Sequence, residues 1–418
     1  MHAMIMRKYL LIVIAFVCYI ILLQSTDQAR ADNTTKVAWI GEKILPKDGA
    51  VVKDGKVIVY DGTSKADLSL PWVVQAVDGE LLKVGDDKKG WVHMSQVLTV
   101  EKAPAYYTEI IAMNRDLGWA YNLRAVAWEE LGNTEAAIAD YGELLRLAPS
   151  ATAYNNRGTA WATKKNYTNA IGDYSEAIRL APNDAKAYCN RGWVFAVRRD
   201  FDKAIGDYDQ AIRLNSTYAV AYRGRGQAWS AKKEYSKAIA DYDQAIRLDP
   251  NLAIAYGSRG DALAAMKEYG KAIADCDQAI RLDPNLAPAY VVRGNVRAAM
   301  KEYGKAIADL NQAIHGRRDY MKAFNSLARI LATCPNAKYR DGARAVSNAR
   351  KACELSGWID AEPLDTLAAA FAETGDFNSA VKYQQKAIEH DQNNDVFRGH
   401  LAMLRQHKPI REESADTK

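Results

Sequence analysis

AVAYRGRGQAWSAKKEYSKAIADYDQAIRLDPNL, residues 219–252, is followed at once by AIAYGSRGDALAAMKEYGKAIADCDQAIRLDPNL, residues 253–286. The two copies start 34 residues apart, and a fixed period of that length marks a repeat architecture. In the first copy Tyr222, Gly226 and Trp229 fall at i, i+4 and i+7, as do Ala238, Tyr242 and Ala245. Each set is one apolar stripe on a helix. KKEYS, 232–236, reads as the turn between them, and Pro250 ends the second helix because proline cannot continue it. Gly226 and Ala238 are small where the two helices would cross. One such hairpin cannot bury both stripes by itself, so copies must stack into a continuous core.

On these residues the unit resembles the tetratricopeptide repeat. That family's W-x2-L-G-x2-Y…A-x3-F…P pattern is met by Tyr222, Arg225-Gly226, Trp229, Ala238, Tyr242 and Pro250. The resemblance implies a mainly α fold, a right-handed α–α superhelix. Six regular units cover 118–320, dividing at 118–150, 151–184, 185–218, 219–252, 253–286 and 287–320. A seventh, 321–360, carries about six extra residues around 335–341, and an eighth, 361–394, returns to type.

One departure recurs. Where the family has an apolar residue before the glycine, this chain has Arg124, Arg157, Arg191, Arg225, Arg259 and Arg293. Sixteen residues after each stands an aspartate: Asp140, Asp173, Asp207, Asp241, Asp275 and Asp309. With the turn midway, both sit at one height on antiparallel helices, which predicts a partly buried ladder of bidentate pairs. A row of anion-binding arginines is the alternative, but each arginine here brings its own counter-charge.

The 418 residues are 49% apolar and 26% charged, enough for a large core, and the net charge is +5. Without a long Lys/Arg block, that charge gives no case for nucleic acid. Residues 1–31 read differently. Arg7-Lys8, an apolar run over 9–23 and Ala29-Arg30-Ala31 follow the order of a secretory signal, cut after Ala31. The run spans about 22 Å as a helix against about 30 Å of hydrocarbon, so an uncleaved membrane anchor is the second reading. Export to the periplasm or the exterior is expected.

Short alternating runs at 56–60, 72–77, 81–84 and 91–94, separated by Asp-Gly turns, predict a small antiparallel β domain over 36–100. Its ending, GWVHMSQV at 90–97, resembles the last strands of bacterial SH3-like domains, implying a small SH3-like β-barrel. In that family such a domain implies contact with cell-wall peptides or proteins; a simple cap on the helical array is the other reading. APAYYTEIIAMN, 103–114, matches the second helix of a unit, so 101–117 reads as a connecting half-repeat. Residues 395–407 form an amphipathic capping helix, and 408–418 a disordered polar tail.

No chemistry stands out. Cys189, Cys276, Cys334 and Cys353 are too sparse for a disulfide framework, and Cys276 replaces a buried aromatic. No histidine pair has metal-ligand spacing; His400 and His407, seven apart, read as solvated surface. Nucleotide loops and nucleophile elbows are missing, so no enzyme, metal or cofactor is predicted. What remains is the inner face, which the resemblance places on the first helices. There the groove would present Asn155, Thr159, Lys186, Trp193, Arg223, Gln227, Asp261 and Asn295, with Cys189 and Val291 on the same stripe. Trp193 is the candidate anchor for a protein or an extended peptide, or else packs on its neighbour. Lys186, Asn156 and Asn190 are fragments of the family's carboxylate clamp, too few to imply chaperone binding.

Overall fold

The structure, a computed structural model, describes residues 97–412 and, before them, only the backbone of six short strands. The proposed signal or anchor segment and residues 413–418 lie outside the described residues. The chain divides into two compact units, residues 1–182 and 183–418.

The first unit opens with β1 (Lys43–Pro46), β2 (Val51–Lys53), β3 (Lys56–Ile58), β4 (Trp72–Asp78), β5 (Leu81–Val84), β6 (Trp91–His93) and β7 (Val97–Thr99). Five of them pair antiparallel in the order β6-β5-β4-β1-β7, while β2 and β3 pair with each other. A barrel requires the two ends of the order to meet. Among the described residues β6 and β7 do not pair, so these strands do not show the SH3-like barrel expected over 36–100.

Helix α1 (Ala103–Met113) follows, then the hairpins α2/α3 (Gly118–Glu130, Thr134–Leu147) and α4/α5 (Ala151–Thr163, Tyr167–Leu180). The half-repeat α1 buries Tyr107 edge-on against Trp119 of α2, ring centroids 6.4 Å apart. Leu98 and Val100 pack into the same cluster, so the end of β7 rests against α1 and α2.

The second unit repeats the hairpin with α6/α7 (Ala185–Val197, Phe201–Leu214), α8/α9 (Ala219–Ala231, Tyr235–Leu248) and α10/α11 (Ala253–Ala265, Tyr269–Leu282). Next come α12/α13 (Ala287–Ala299, Tyr303–Gly316), α14/α15 (Met321–Thr333, Gly342–Leu355), α16/α17 (Ala361–Glu373, Phe377–His390) and α18 (Asp395–Arg405). In α8/α9 the crossing is at Gly226, where an added Cβ would lie 2.7 Å from Tyr242 Cε1 and 3.2 Å from Ala238 O. Only glycine admits that ring at that distance. The extra residues after α14 form a 3-10 turn, Ala337–Tyr339, whose Tyr339 packs on Tyr303 at 5.7 Å.

The turns are shorter than KKEYS suggests, since Tyr235 already begins α9. Lys233 takes the left-handed conformation (φ 64°), which lets Glu234 N reach Trp229 O and Lys233 N reach Ser230 O, both at 2.9 Å. This is a Schellman ending, where glycine is favoured because a side chain clashes in that conformation. Lys165, Arg199, Lys267 and Lys301 repeat it, while Gly132 and Gly375 supply glycine. Lys233→Gly is therefore expected to raise stability by about 0.5 kcal/mol, relief of strain outweighing the greater freedom of unfolded glycine. A thermal melt followed by circular dichroism reads the sign, and a lowered midpoint would refute it.

Two expectations at the C-terminus need correction. The chain is ordered to Glu412 rather than disordered from 408: Ile410 is 5% exposed and Glu412 N donates to Thr333 O at 3.1 Å. His400 and His407 are not simply solvated either. His400 Nδ1 lies 2.7 Å from Asp365 Oδ1, and the His407 ring stacks on Phe377 at 4.9 Å. Both side chains face α16/α17 because α18 lies on that hairpin, burying Phe397 and Leu404.

Candidate functional site

Each arginine–aspartate pair comes together. The Nε and Nη2 of Arg124, Arg157, Arg191, Arg225, Arg259 and Arg293 donate to the two carboxylate oxygens of Asp140, Asp173, Asp207, Asp241, Asp275 and Asp309. Distances run from 2.6 Å (Arg225 to Asp241) to 3.0 Å (Arg293 to Asp309). All six aspartates are buried. The third edge of the guanidinium reaches back one hairpin: Arg225 Nη1 to Asp209 at 2.6 Å, Arg259 to Asp243 at 2.6 Å, Arg293 to Asp277 at 2.5 Å. These second carboxylates fall two residues after the ladder aspartates and were not anticipated, although the repeated Asp-x-Asp is visible in the sequence. In the first unit Thr108 takes that role for Arg124, at 2.8 Å. Each arginine thus closes its own hairpin, and Arg124, Arg225, Arg259 and Arg293 also tie theirs to the element before. The hydrogen bond to Asp241 comes first among the causes that hold the Arg225 guanidinium above its ordinary range, with Asp209 adding to it. With the fork occupied on both edges at Arg124, Arg225, Arg259 and Arg293, these rungs have little left for a ligand.

Arg223, two residues before Arg225, is different. It donates to Gln227 Oε1 at 3.2 Å, and among the described residues it forms no ion pair. Around it gather the side chains of Cys189, Tyr208, Tyr218 and Tyr242, each of which feels its positive charge. Tyr208 reaches this place because position 224 is glycine: a Cβ there would lie 2.5 Å from the Tyr208 ring. Burial holds the Tyr242 phenol above its ordinary range, and Ser230, Ser258 and the charge of Arg223 oppose that rise. Sequence reasoning placed Tyr242 on an apolar stripe alone. The recurrent Asp-Tyr pair was the available signal, since a buried phenol needs a partner for its hydroxyl.

Asp261 lies one hairpin further on. It is solvent-accessible, yet surrounding protein pushes its carboxyl above the usual range, opposed by the Lys322 ammonium. Exposure together with such confinement is what the inside of a concave wall produces. Its charge is also felt by Tyr242 and Tyr320. Asn295 and Asn325, on α12 and α14, each hold an enclosed Oδ1 with no donor among the described residues.

Of the other groove candidates, Lys186 and Gln227 are exposed and Trp193 is 45% exposed, so its ring is not consumed by packing. Cys189 and Val291 are buried and belong to the core rather than the groove surface, because both lie where neighbouring first helices pack. Asn155 and Thr159 belong to the first unit. The Thr159 hydroxyl is already engaged by Asn155 O at 3.0 Å and the Tyr174 hydroxyl at 3.1 Å.

The four cysteines of the described residues are unpaired and buried. Burial pushes the Cys189 thiol up to about 11 and that of Cys276 to about 12, so neither supplies a thiolate nucleophile near neutrality. Among the described residues no three His, Cys, Asp or Glu side chains could hold a metal ion, and no helix is long and apolar enough to cross a membrane.

The sequence matches the tetratricopeptide-repeat family over residues 122–185, over 185–218, 219–252 and 253–286, and again over 361–394. No curated protein sequence gives a significant match. Among solved structures, the Cut9 and Hcn1 hetero-tetramer of the APC/C is similar with a TM-score of 0.56 at 13% identity, over 73% of this chain and 59% of that one. YrrB, described as a tetratricopeptide-repeat protein with an unusual peptide-binding site, gives 0.36 at 21% identity over 44% of this chain and 96% of its own. MamA gives 0.35 at 25% identity over 38% and 94%. The helical hairpins over 122–286 and 361–394 are tetratricopeptide repeats.

Proposed function

We propose that the chain is a non-enzymatic interaction scaffold whose second unit reads an extended, acidic protein segment along the first helices of its hairpins. The observation that carries this reading is Arg223. Six neighbouring arginines in the array are neutralised by carboxylates, whereas this one has none and stands among tyrosines. Lys186 and Lys322 add two more cations, against the carboxylates of Asp184 and Asp261. Trp193 offers the exposed aromatic that anchors interfaces, and the enclosed amide oxygens of Asn295 and Asn325 lack the donors a peptide backbone would bring. A desolvated arginine or tryptophan at an interface centre accounts for about 2 kcal/mol or more. Arg223→Glu and Trp193→Ala are each expected to weaken binding of a fluorescent Glu-rich peptide at least about 10-fold, with rising salt weakening the wild type. Equal affinity in all three proteins would reject the groove.

A second reading draws on the antiparallel order of the five paired strands and on the 90–97 ending: a domain over 36–100 that holds envelope material while the repeats display partners. Loss of envelope pull-down on deleting 36–100, with the peptide still bound, would favour it. Export, by a signal cut after Ala31 or retained as an anchor, belongs to either reading and rests on the sequence of residues 1–31.

A further inference from the structure

In regular hairpins the carbonyls at the end of the first helix are taken by the turn: in α8, Ala228 O by Lys232 N, Trp229 O by Glu234 N and Ser230 O by Lys233 N. Helix α14 breaks this rule. Its chain leaves through the insertion, so Cys334 N bonds Ile330 O, Asp341 N bonds Leu331 O, and no local donor reaches the next two carbonyls. A segment 79 residues further on fills them. Arg411 Nη1 donates to Ala332 O at 3.2 Å, and Glu412 N to Thr333 O at 3.1 Å.

The same segment meets side chains prepared for it. Glu373, at the end of α16, accepts from Arg340 Nε at 3.0 Å on one oxygen. Its other oxygen lies 2.5 Å from Arg411 Nη2, a charge contact rather than an aligned hydrogen bond. Ile410 enters the core cluster, His407 stacks on Phe377, and Arg329 Nε lies 3.5 Å from Glu412 Oε1. Residues 406–412 belong to no helix, bury one aliphatic side chain, and leave Arg411 32% exposed. That is the pattern of an extended peptide laid on a surface, with backbone contacts for affinity and two side chains for choice.

We propose that the open end of α14 together with Glu373 is a peptide-binding site for an aliphatic–arginine–acidic segment, occupied here by the chain's own Ile410-Arg411-Glu412. An outside segment of that chemistry competes with this resident one. Tethering gives the resident a high effective concentration, so the site is hidden from free peptide until the tail lets go. This site lies apart from Arg223 and does not rest on the reading of the groove.

The test uses a fluorescein-labelled peptide HKPIRE, residues 407–412, titrated by polarisation into the full chain and into its Ile410→Ala/Arg411→Ala variant. The variant is expected to bind at least about 10-fold tighter than the wild type, by the loss of intramolecular competition. Adding Glu373→Gln should abolish that gain. Equal affinity for wild type and variant overturns the proposal, because the peptide then binds elsewhere. No binding to a variant that keeps its helical circular dichroism also overturns it, making the tail a permanent cap. Arg411→Ala alone, which loses the contacts to Glu373 and Ala332 O while Ile410 stays in the core, is expected to give a smaller gain of the same sign should the double variant lose helicity.

Discussion

Asp241→Ala is expected to lower the stability of the full chain by about 3 kcal/mol, read as an earlier urea midpoint for loss of helical circular dichroism. The deletion strips both Nε and Nη2 of Arg225, a guanidinium 22% exposed, of the carboxylate they share. Truncating one partner of a buried pair costs about 3–5 kcal/mol, because the other charge is left without compensation. The lower end applies here, since Arg225 keeps Asp209. Asp209→Ala is expected to cost about 0–1 kcal/mol, because that carboxylate is 39% exposed and screened by solvent. Replacing both members, Arg225→Met with Asp241→Leu, should return most of the loss, as an apolar pair of similar volume carries no desolvation penalty. An Asp241→Ala protein within about 0.5 kcal/mol of the wild type would show that the ladder is ornament on hairpins held by their apolar contacts. A rescue that fails while both single variants are destabilised would mean that the pair sets hairpin register rather than balancing charge.

The ladder was legible because periodicity turns a spacing into a height. Sixteen residues with a turn in the middle can only bring Arg225 and Asp241 level, and six repetitions remove coincidence. The same logic gave the hairpins, the half-repeat at α1 and the close crossing at Gly226. It failed wherever a residue does something only once. Cys189 and Val291 occupy groove positions by number, yet side-chain size and the neighbouring helix decide whether such a position is wall or surface. Tyr242 reads as core because its ring is core, yet its phenol feels the charge of Arg223. No period carries that information, since Arg223 and the glycine that admits the Tyr208 ring at 224 each occur once. The ordered tail was invisible for a related reason. Ile410 sits in a polar, Pro-containing stretch, and the carbonyls that Arg411 and Glu412 reach are open only because the insertion after α14 removes the usual turn.

Gly226→Leu offers the sharpest test of how the hairpins meet. A Cβ at this position would lie 2.7 Å from Tyr242 Cε1, 3.0 Å from Cδ1 and 3.2 Å from Ala238 O. Neither neighbour can give way easily: the ring is 1% exposed, and the oxygen belongs to the backbone of α9. Overpacking of this kind costs about 1–3 kcal/mol or more, and the full leucine side chain places the expected loss near 3 kcal/mol. The control is Gly206, inside α7, where an added Cβ meets nothing within 4 Å. There leucine should stabilise by up to about 1 kcal/mol, since glycine is the poorer helix former. The two substitutions are chemically the same and both fall within helices, so helix propensity predicts the same sign for both. Opposite shifts in thermal midpoint therefore isolate the crossing contact from propensity. Tyr242→Ala added to Gly226→Leu should recover part of the loss by making room, as a ring and a small residue exchange sides. Neighbouring hairpins already carry smaller partners at this contact, with Gly260 against Cys276 Sγ at 3.0 Å and Gly294 against Leu310 Cγ at 3.1 Å. The hairpins before it carry a ring at the same contact, where an added Cβ would lie 2.9 Å from Tyr174 at Gly158 and 3.3 Å from Tyr208 at Gly192, so the tyrosine is the commoner partner and the smaller residues are the departures. If Gly226→Leu and Gly206→Leu shifted the midpoint alike, the helices would not be held at the distance that glycine permits.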